Sequence, residues 1–255
     1  MNKLALTVTA IVLSMVTNTF GQSGKAANSK PTIVFVHGLW ADGSSWSKVI
    51  DPLLDEGFEI ISVQNPTTSL EDDVAAANTA IERTEGDVIL VGHSWGGFVI
   101  TEAGVHPRVK GLVYVAAFAP DKGETVPTLS ANAAPTQLTE FLQTTTGLLT
   151  LTKKGVVEAF ARDLPGKEQN VVHAVQQPAS PKVFAGVAAN AAWKTKPSWY
   201  VVAAEDKVIN PDLEKWMAKR AGSKITILDA SHVAMVSKPK EVLAVILEAA
   251  KSVGK

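Results

Sequence analysis

Short apolar runs alternate along this chain with stretches in which apolar residues recur every three or four positions. The runs at 33–36, 60–63, 88–91, 112–116, 199–203 and 225–228 are almost wholly apolar, which is the pattern of strands buried on both faces of a parallel sheet. Between them, 45–54, 70–84, 97–105, 211–221 and 239–251 carry helical periodicity. Two of these helices also have chemical start signals. Ser69-Leu70-Glu71-Asp72 resembles a capping box, and Asn210-Pro211 places a good N-cap before a proline at the first helical position. Strand and helix in alternation predict the α/β class, with a six-stranded, mostly parallel sheet and flanking helices.

The alternation fails over 120–197, which is rich in Ala, Thr, Leu, Val and Pro and shows no clear strand. Short helices are predicted there at 136–145, 156–164 and 167–177, so the segment reads as a helical lid inserted into a core formed by 31–119 and 198–255. The N-terminus differs again. A Lys3 start, a mostly apolar run to Val16 and small residues before Gln22 predict a cleaved signal peptide over 1–21, followed by a flexible tail over 22–30. That run is too short for a membrane anchor, so export to the periplasm or medium is the expectation.

Composition narrows the chemistry. The chain has 255 residues, 46% of them hydrophobic, and a formal net charge of −1 without a block of like charges. That balance fits one sizeable core or two small ones and lacks the basic footprint of nucleic-acid or anionic-membrane binding. With no cysteine in the chain, disulfides, thiolate metal sites and a cysteine nucleophile are excluded together. No zinc-protease, calcium-loop, phosphate-loop or dinucleotide fingerprint occurs either, so no metal and no cofactor are expected.

What remains is concentrated at strand ends. Gly92-His93-Ser94-Trp95-Gly96-Gly97 follows the third run as a G-x-S-x-G at the point where a strand must turn sharply into a helix. Ser94 is the candidate nucleophile, and a serine hydroxyl needs a base to take its proton. Of five histidines, His37 and His93 lie in tight turns, His106 in a polar surface segment and His173 in the lid. His232 follows the last strand in Asp229-Ala230-Ser231-His232, at the same carboxyl edge of the sheet as Ser94. Asp206 follows the fifth strand and completes the chain order Ser, Asp, His, with Asp121 and Glu205 as alternative acids. For a tetrahedral oxyanion, the backbone N–H groups of Trp95 and Leu39 are the candidate donors, the latter just after the His37-Gly38 turn. Trp40 and His93 are candidate pocket residues by sequence adjacency.

These segments together, the strand ending in His37-Gly38, the Gly92 to Gly97 elbow, Ala204-Glu205-Asp206-Lys207-Val208-Ile209-Asn210-Pro211 and Asp229 to Met235, resemble the α/β-hydrolase superfamily. Within it they are similar to the small esterase and hydroxynitrile-lyase group that includes the plant methylesterases. The resemblance covers about 31–120 and 197–250 and implies a helical lid, a Ser94-His232-Asp206 triad and no cofactor. The lyase branch carries Thr where this chain has Gly38, and Lys where it has Val233. Both marks are absent, which favours ester hydrolysis. Ser94 in the elbow also sets the chain apart from the dehalogenases and epoxide hydrolases that resemble this fold and place Asp there.

The sequence therefore predicts a serine carboxylesterase acting on a small-molecule ester through an acyl-enzyme, with no nucleic-acid partner and a homodimer left open. The alternatives are an acyl-homoserine-lactone type lactonase, a carbon–carbon lyase of the hydroxynitrile type, and a ligand-binding protein that retains the triad.

Overall fold

In the computed structural model, residues 30–253 are described. The predicted signal peptide, and all of the predicted tail except Lys30, lie outside the described residues. Strands β1 (Thr32–Val36), β2 (Ile60–Val63), β3 (Val88–His93) and β4 (Val109–Val115) belong to the first half of the chain. Two strands in the middle, β5 (Leu142–Thr145) and β6 (Leu148–Leu151), form a separate hairpin, and β7 (Ser198–Ala203) and β8 (Lys224–Leu228) complete the sheet. The main sheet has six strands in the order β2-β1-β3-β4-β7-β8, and every pairing in it is parallel.

Burial explains why the sequence pattern was so clear. Every residue of β1, β3 and β7 is buried, so these strands have no polar face to alternate with. The edge strands β2 and β8 are only partly buried. Helix α1 (Ser47–Asp55) packs with the C-terminal helix Pro239–Val253, and α2 (Leu70–Glu82) packs with α3 (Trp95–Ala103), giving the sheet its helical cover. Both predicted N-caps form: the Ser69 side chain accepts from the Asp72 N–H at 3.1 Å, and that of Asn210 accepts from the Asp212 N–H at 2.9 Å. The capping box at Ser69 is only half made, because the Asp72 carboxylate accepts from the Thr68 hydroxyl at 2.6 Å instead of from the Ser69 N–H.

The chain leaves β1 first to one side, into β2, and then crosses to the other, into β3. The loops after β1 and β3 therefore diverge, and the crevice between them lies at the carboxyl edge of the sheet, where parallel α/β sheets bind ligands.

Segment 120–197 covers that edge, but it is not wholly helical. Helix α4 (Val126–Ser130) and the helix Gly166–Val175 are present, whereas the helix expected at 136–145 is a 3-10 turn, Leu138–Phe141, that runs into β5. The cause is local. Thr144 and Thr145 are β-branched, and Thr146-Gly147 takes positive φ at both positions (53° and 81°), the requirement of a tight two-residue hairpin turn. The stretch expected as helix 156–164 is a π-helical turn, Val156–Phe160, followed by irregular chain.

Candidate active site

Ser94 sits between β3 and α3 at φ 54°, ψ −120°, outside the regions that L-residues favour. Such a conformation costs on the order of 1–3 kcal/mol and persists only where its surroundings impose it. Here the Ser94 carbonyl accepts from the N–H of Gly97 at 3.0 Å and of Phe118 at 3.1 Å, and the Ser94 N–H donates to Val115 O at 3.3 Å. The glycines are required by space. A Cβ on Gly92 would stand 2.5 Å from Gly96 O, and one on Gly96 would stand 2.3 Å from Val36 O. The strand, the turn and the helix thus close on one another with no room for a side chain at either position.

His232 and Asp206 arrive from the loops after β8 and β7. Their side chains are fully buried, and His232 Nδ1 lies 2.5 Å from Asp206 Oδ2. The remaining Asp206 oxygen, Oδ1, accepts from the N–H of Val208 at 2.6 Å and of Ile209 at 3.1 Å. With Nδ1–H directed at the carboxylate, the other ring nitrogen, Nε2, presents a lone pair, and no protein group is bonded to it. That is the tautomer a general base requires. Ser94 itself opens into a cavity of about 750 Å³, bordered also by Leu39, Trp40, Trp95 and Phe118 from the core and by lid residues such as Val126 and Leu149.

Trp95 is the first residue of α3, so its N–H is one of the four amides without a partner inside the helix. Leu39 follows Gly38 in the facing loop. Its turn is held by His37, whose Nδ1–H donates to Gly38 O at 2.9 Å. Gly38 is tightly confined: a Cβ there would lie 2.7 Å from Ser94 Cβ and 2.9 Å from His93 Nδ1. Trp40 borders the cavity, and its indole N–H donates to Leu149 O in the hairpin at 3.1 Å. The alternative acids lie elsewhere. Asp121 is held by Lys194 at 2.5 Å, which keeps its carboxyl below the usual range, and Glu205 pairs with Arg162 of the lid.

His93, read from the sequence as a pocket residue, does not border the cavity. It is fully enclosed, and its Nε2–H donates to the backbone carbonyl of His232 at 2.9 Å. The reason is its place in the elbow: residue 93 precedes the outward-turned Ser94, so its side chain points into the protein. Burial, reinforced by the neighbouring His232, pushes its pKa well below the usual histidine value. It therefore serves as a neutral prop beneath the His232 loop.

Several other contacts were not legible in the sequence. The Trp95 indole N–H donates to buried Asp73 at 2.6 Å, and Asp73 also accepts from the Thr67 N–H at 2.7 Å. From the lid, Asp163 receives both the N–H (2.9 Å) and the hydroxyl of Ser231, the residue before His232. Phe160 packs its ring against the His232 imidazole at 5.1 Å between centroids. Apart from the Thr67–Asp73 bond, these contacts join positions far apart in the chain, and no local pattern announces them.

With this geometry in view, comparison with known proteins is informative. The family described as "Alpha/beta hydrolase family" matches residues 33–245. Methylesterase 18 of Arabidopsis thaliana is 27% identical over 259 residues, covering 88% of this chain and 98% of that protein. A carbendazim hydrolyzing esterase of Nocardioides sp. (strain SG-4G) is 31% identical over 119 residues, an alignment spanning 41% of this chain and only about half (49%) of that protein. Among solved structures, polyneuridine aldehyde esterase superimposes with a TM-score of 0.76 at 18% identity, covering 86% of this chain and 99% of that one. At that identity the likeness speaks for the fold alone. The match to the family model covers most of the described residues and includes the elbow and both loops that meet behind it, and the chain belongs to the alpha/beta hydrolase family.

Proposed function

We propose that this protein is a serine carboxylesterase. His232 takes the proton of Ser94, the alkoxide attacks the ester carbonyl, and the N–H groups of Leu39 and Trp95 receive the developing oxyanion. The alcohol leaves with a proton from the imidazolium, and a water activated by the same ring hydrolyses the acyl-enzyme. The observation that carries this reading is the fixed His232–Asp206 pair, at 2.5 Å, whose Nε2 carries no hydrogen bond, together with a strained serine elbow at the same edge of the sheet.

The cavity adds the kind of ester. Its lining, apart from Ser94, Ser130, Thr136 and Thr139, is apolar and includes no charged residue. A volume of about 750 Å³ accommodates an uncharged ester with an apolar acyl or alcohol part, whereas an ester bearing a free carboxylate would lose hydration without a partner. Gly38 stands where the lyase branch carries Thr, and the loop leaves no room for such a side chain, a Cβ there lying 2.7 Å from Ser94 Cβ, which supports hydrolysis over a lyase reaction. Methylesterase and esterase names among the relatives support the same reaction class.

A panel of p-nitrophenyl esters of graded chain length, with lactones and a carboxylate-bearing ester beside them, tests this reading. Neutral apolar esters should be turned over fastest, and Ser94→Ala should lower kcat on the order of 10⁴-fold. Retention of a tenth of the activity by Ser94→Ala would place the nucleophile elsewhere.

A further inference from the structure

Behind the Asp206 carboxylate lies a second buried acid. Glu214, on the helix Pro211–Arg220, is completely enclosed, and its Oε2 accepts from the Ala203 N–H at 3.0 Å. Its other oxygen, Oε1, has no donor. The two acids bracket one residue: Glu214 takes the Ala203 N–H, while the Asp206 N–H donates to the Ala203 carbonyl at 3.2 Å, which makes their carboxyl groups neighbours. Two carboxylates cannot both stay ionised at that range in a buried site, because each would add repulsion to a desolvation cost of several kcal/mol.

Three further facts decide which acid keeps the proton. Asp206 already receives three hydrogen bonds, from His232, Val208 and Ile209, all of which favour its charged form. Glu214 receives one, and no lysine, arginine or histidine forms an ion pair with it among the described residues. The charged and titratable groups around it are Asp206 on the β7 loop, Tyr200 on β7, and Lys215 next to it on its own helix. Tyr200 commits its hydroxyl proton to Ala117 O, and Lys215 bonds outward to Asp212 at 3.1 Å, so neither offers Glu214 a proton.

We propose that Glu214 is a positioning residue of the active site, a neutral acid whose Oε1–H donates to the Asp206 carboxylate and holds it against His232. A carboxylate has about four acceptor positions, and this bond occupies the one that the backbone and the imidazole leave. Burial, followed by the negative charge of Asp206, pushes Glu214 well above the usual carboxylate range, in keeping with that state. The effect on catalysis runs through Asp206. A donor behind the carboxylate draws charge away from the oxygen that faces Nδ1, which limits how strongly Asp206 favours the imidazolium. Losing that donor should make His232 harder to deprotonate and leave Asp206 free to rotate.

The proposal rests on the Ser94-His232-Asp206 reading, and its test has one arm that needs no turnover. Isotope-edited infrared spectroscopy of the wild-type protein at pH 7 should show the carbonyl stretch of a protonated, buried carboxylic acid that Glu214→Gln lacks. Glu214→Gln retains a donor and should keep kcat within about threefold of wild type. Glu214→Leu, of similar size with no donor, should lose kcat about tenfold at unchanged KM, with the acid limb of kcat/KM displaced upward by about one pH unit. A part that is merely structural would lower the melting temperature of the Leu variant and leave that limb where it was. Absence of the protonated-acid band in wild type, or an unmoved acid limb in Glu214→Leu, would overturn the proposal. Failure of the esterase reading would show differently, as a present band without ester turnover in any variant.

Discussion

At the scale of single residues, the site depends on groups kept neutral as much as on groups kept charged. His93 is the clearest case, since burial holds it uncharged while its Nε2–H supports the carbonyl of His232. His37 is shifted in the same direction, again mainly by burial. The sign of the consequence follows from proton linkage. In the unfolded chain both rings take up a proton near 6.5, whereas the native state resists it, so stability present above that value is lost as pH falls toward the native pKa values. Each ring contributes at most about 1.4 kcal/mol per pH unit within that window. His93→Gln keeps a side-chain donor for the carbonyl and removes one titration. Melting temperatures measured from pH 7 to pH 5 should therefore fall less steeply for His93→Gln than for wild type. Parallel slopes would show that His93 becomes protonated in the native state as readily as in the unfolded one.

At the scale of elements, the lid is fastened to the two loops that carry Asp206 and His232. Arg162 bonds to Glu205, just before Asp206, and Asp163 bonds to Ser231, just before His232. Asp163→Ala should leave Ser231, which is fully buried, with an unmade bond. The expected cost is about 1–3 kcal/mol in stability and a several-fold loss of kcat, with KM for an apolar ester little changed. Thermal unfolding and steady-state kinetics on the same variant check both; a rise in KM at constant kcat would mean that Asp163 serves the pocket and not the His232 loop.

The same contrast between elements explains what could be read in advance. The inner sheet strands were legible because burial on both faces left long apolar runs, as in Val88-Ile89-Leu90-Val91, and the partly buried edge strands β2 and β8 still kept short ones. The elbow was legible because its glycines are demanded by contacts of under 3 Å with backbone atoms. The lid hairpin was missed, although Thr146-Gly147 is a turn signal, because Leu142 to Thr145 is short and mostly exposed and so shows no burial pattern. His93 was misplaced for another reason. Position in sequence puts it beside Ser94, but the direction of its side chain is fixed by the pleat of β3, and adjacency alone does not carry that direction.

At the scale of the whole molecule, a parallel sheet presents Ser94, Asp206 and His232 on three different loops at one edge, and the lid borders the apolar cavity into which Ser94 opens. In the proposed reaction, enclosure of this kind strengthens every hydrogen bond made to the developing oxyanion. The central claim is that Ser94 becomes acylated during turnover. The most direct test is to quench a reaction with p-nitrophenyl acetate within the first turnover and to map the adduct by peptide mass spectrometry. The mass of one acetyl group on the peptide containing Ser94, absent from Ser94→Ala, is the predicted result. Turnover of the ester with the acetyl group on another residue, or with no covalent adduct at any time, would contradict it.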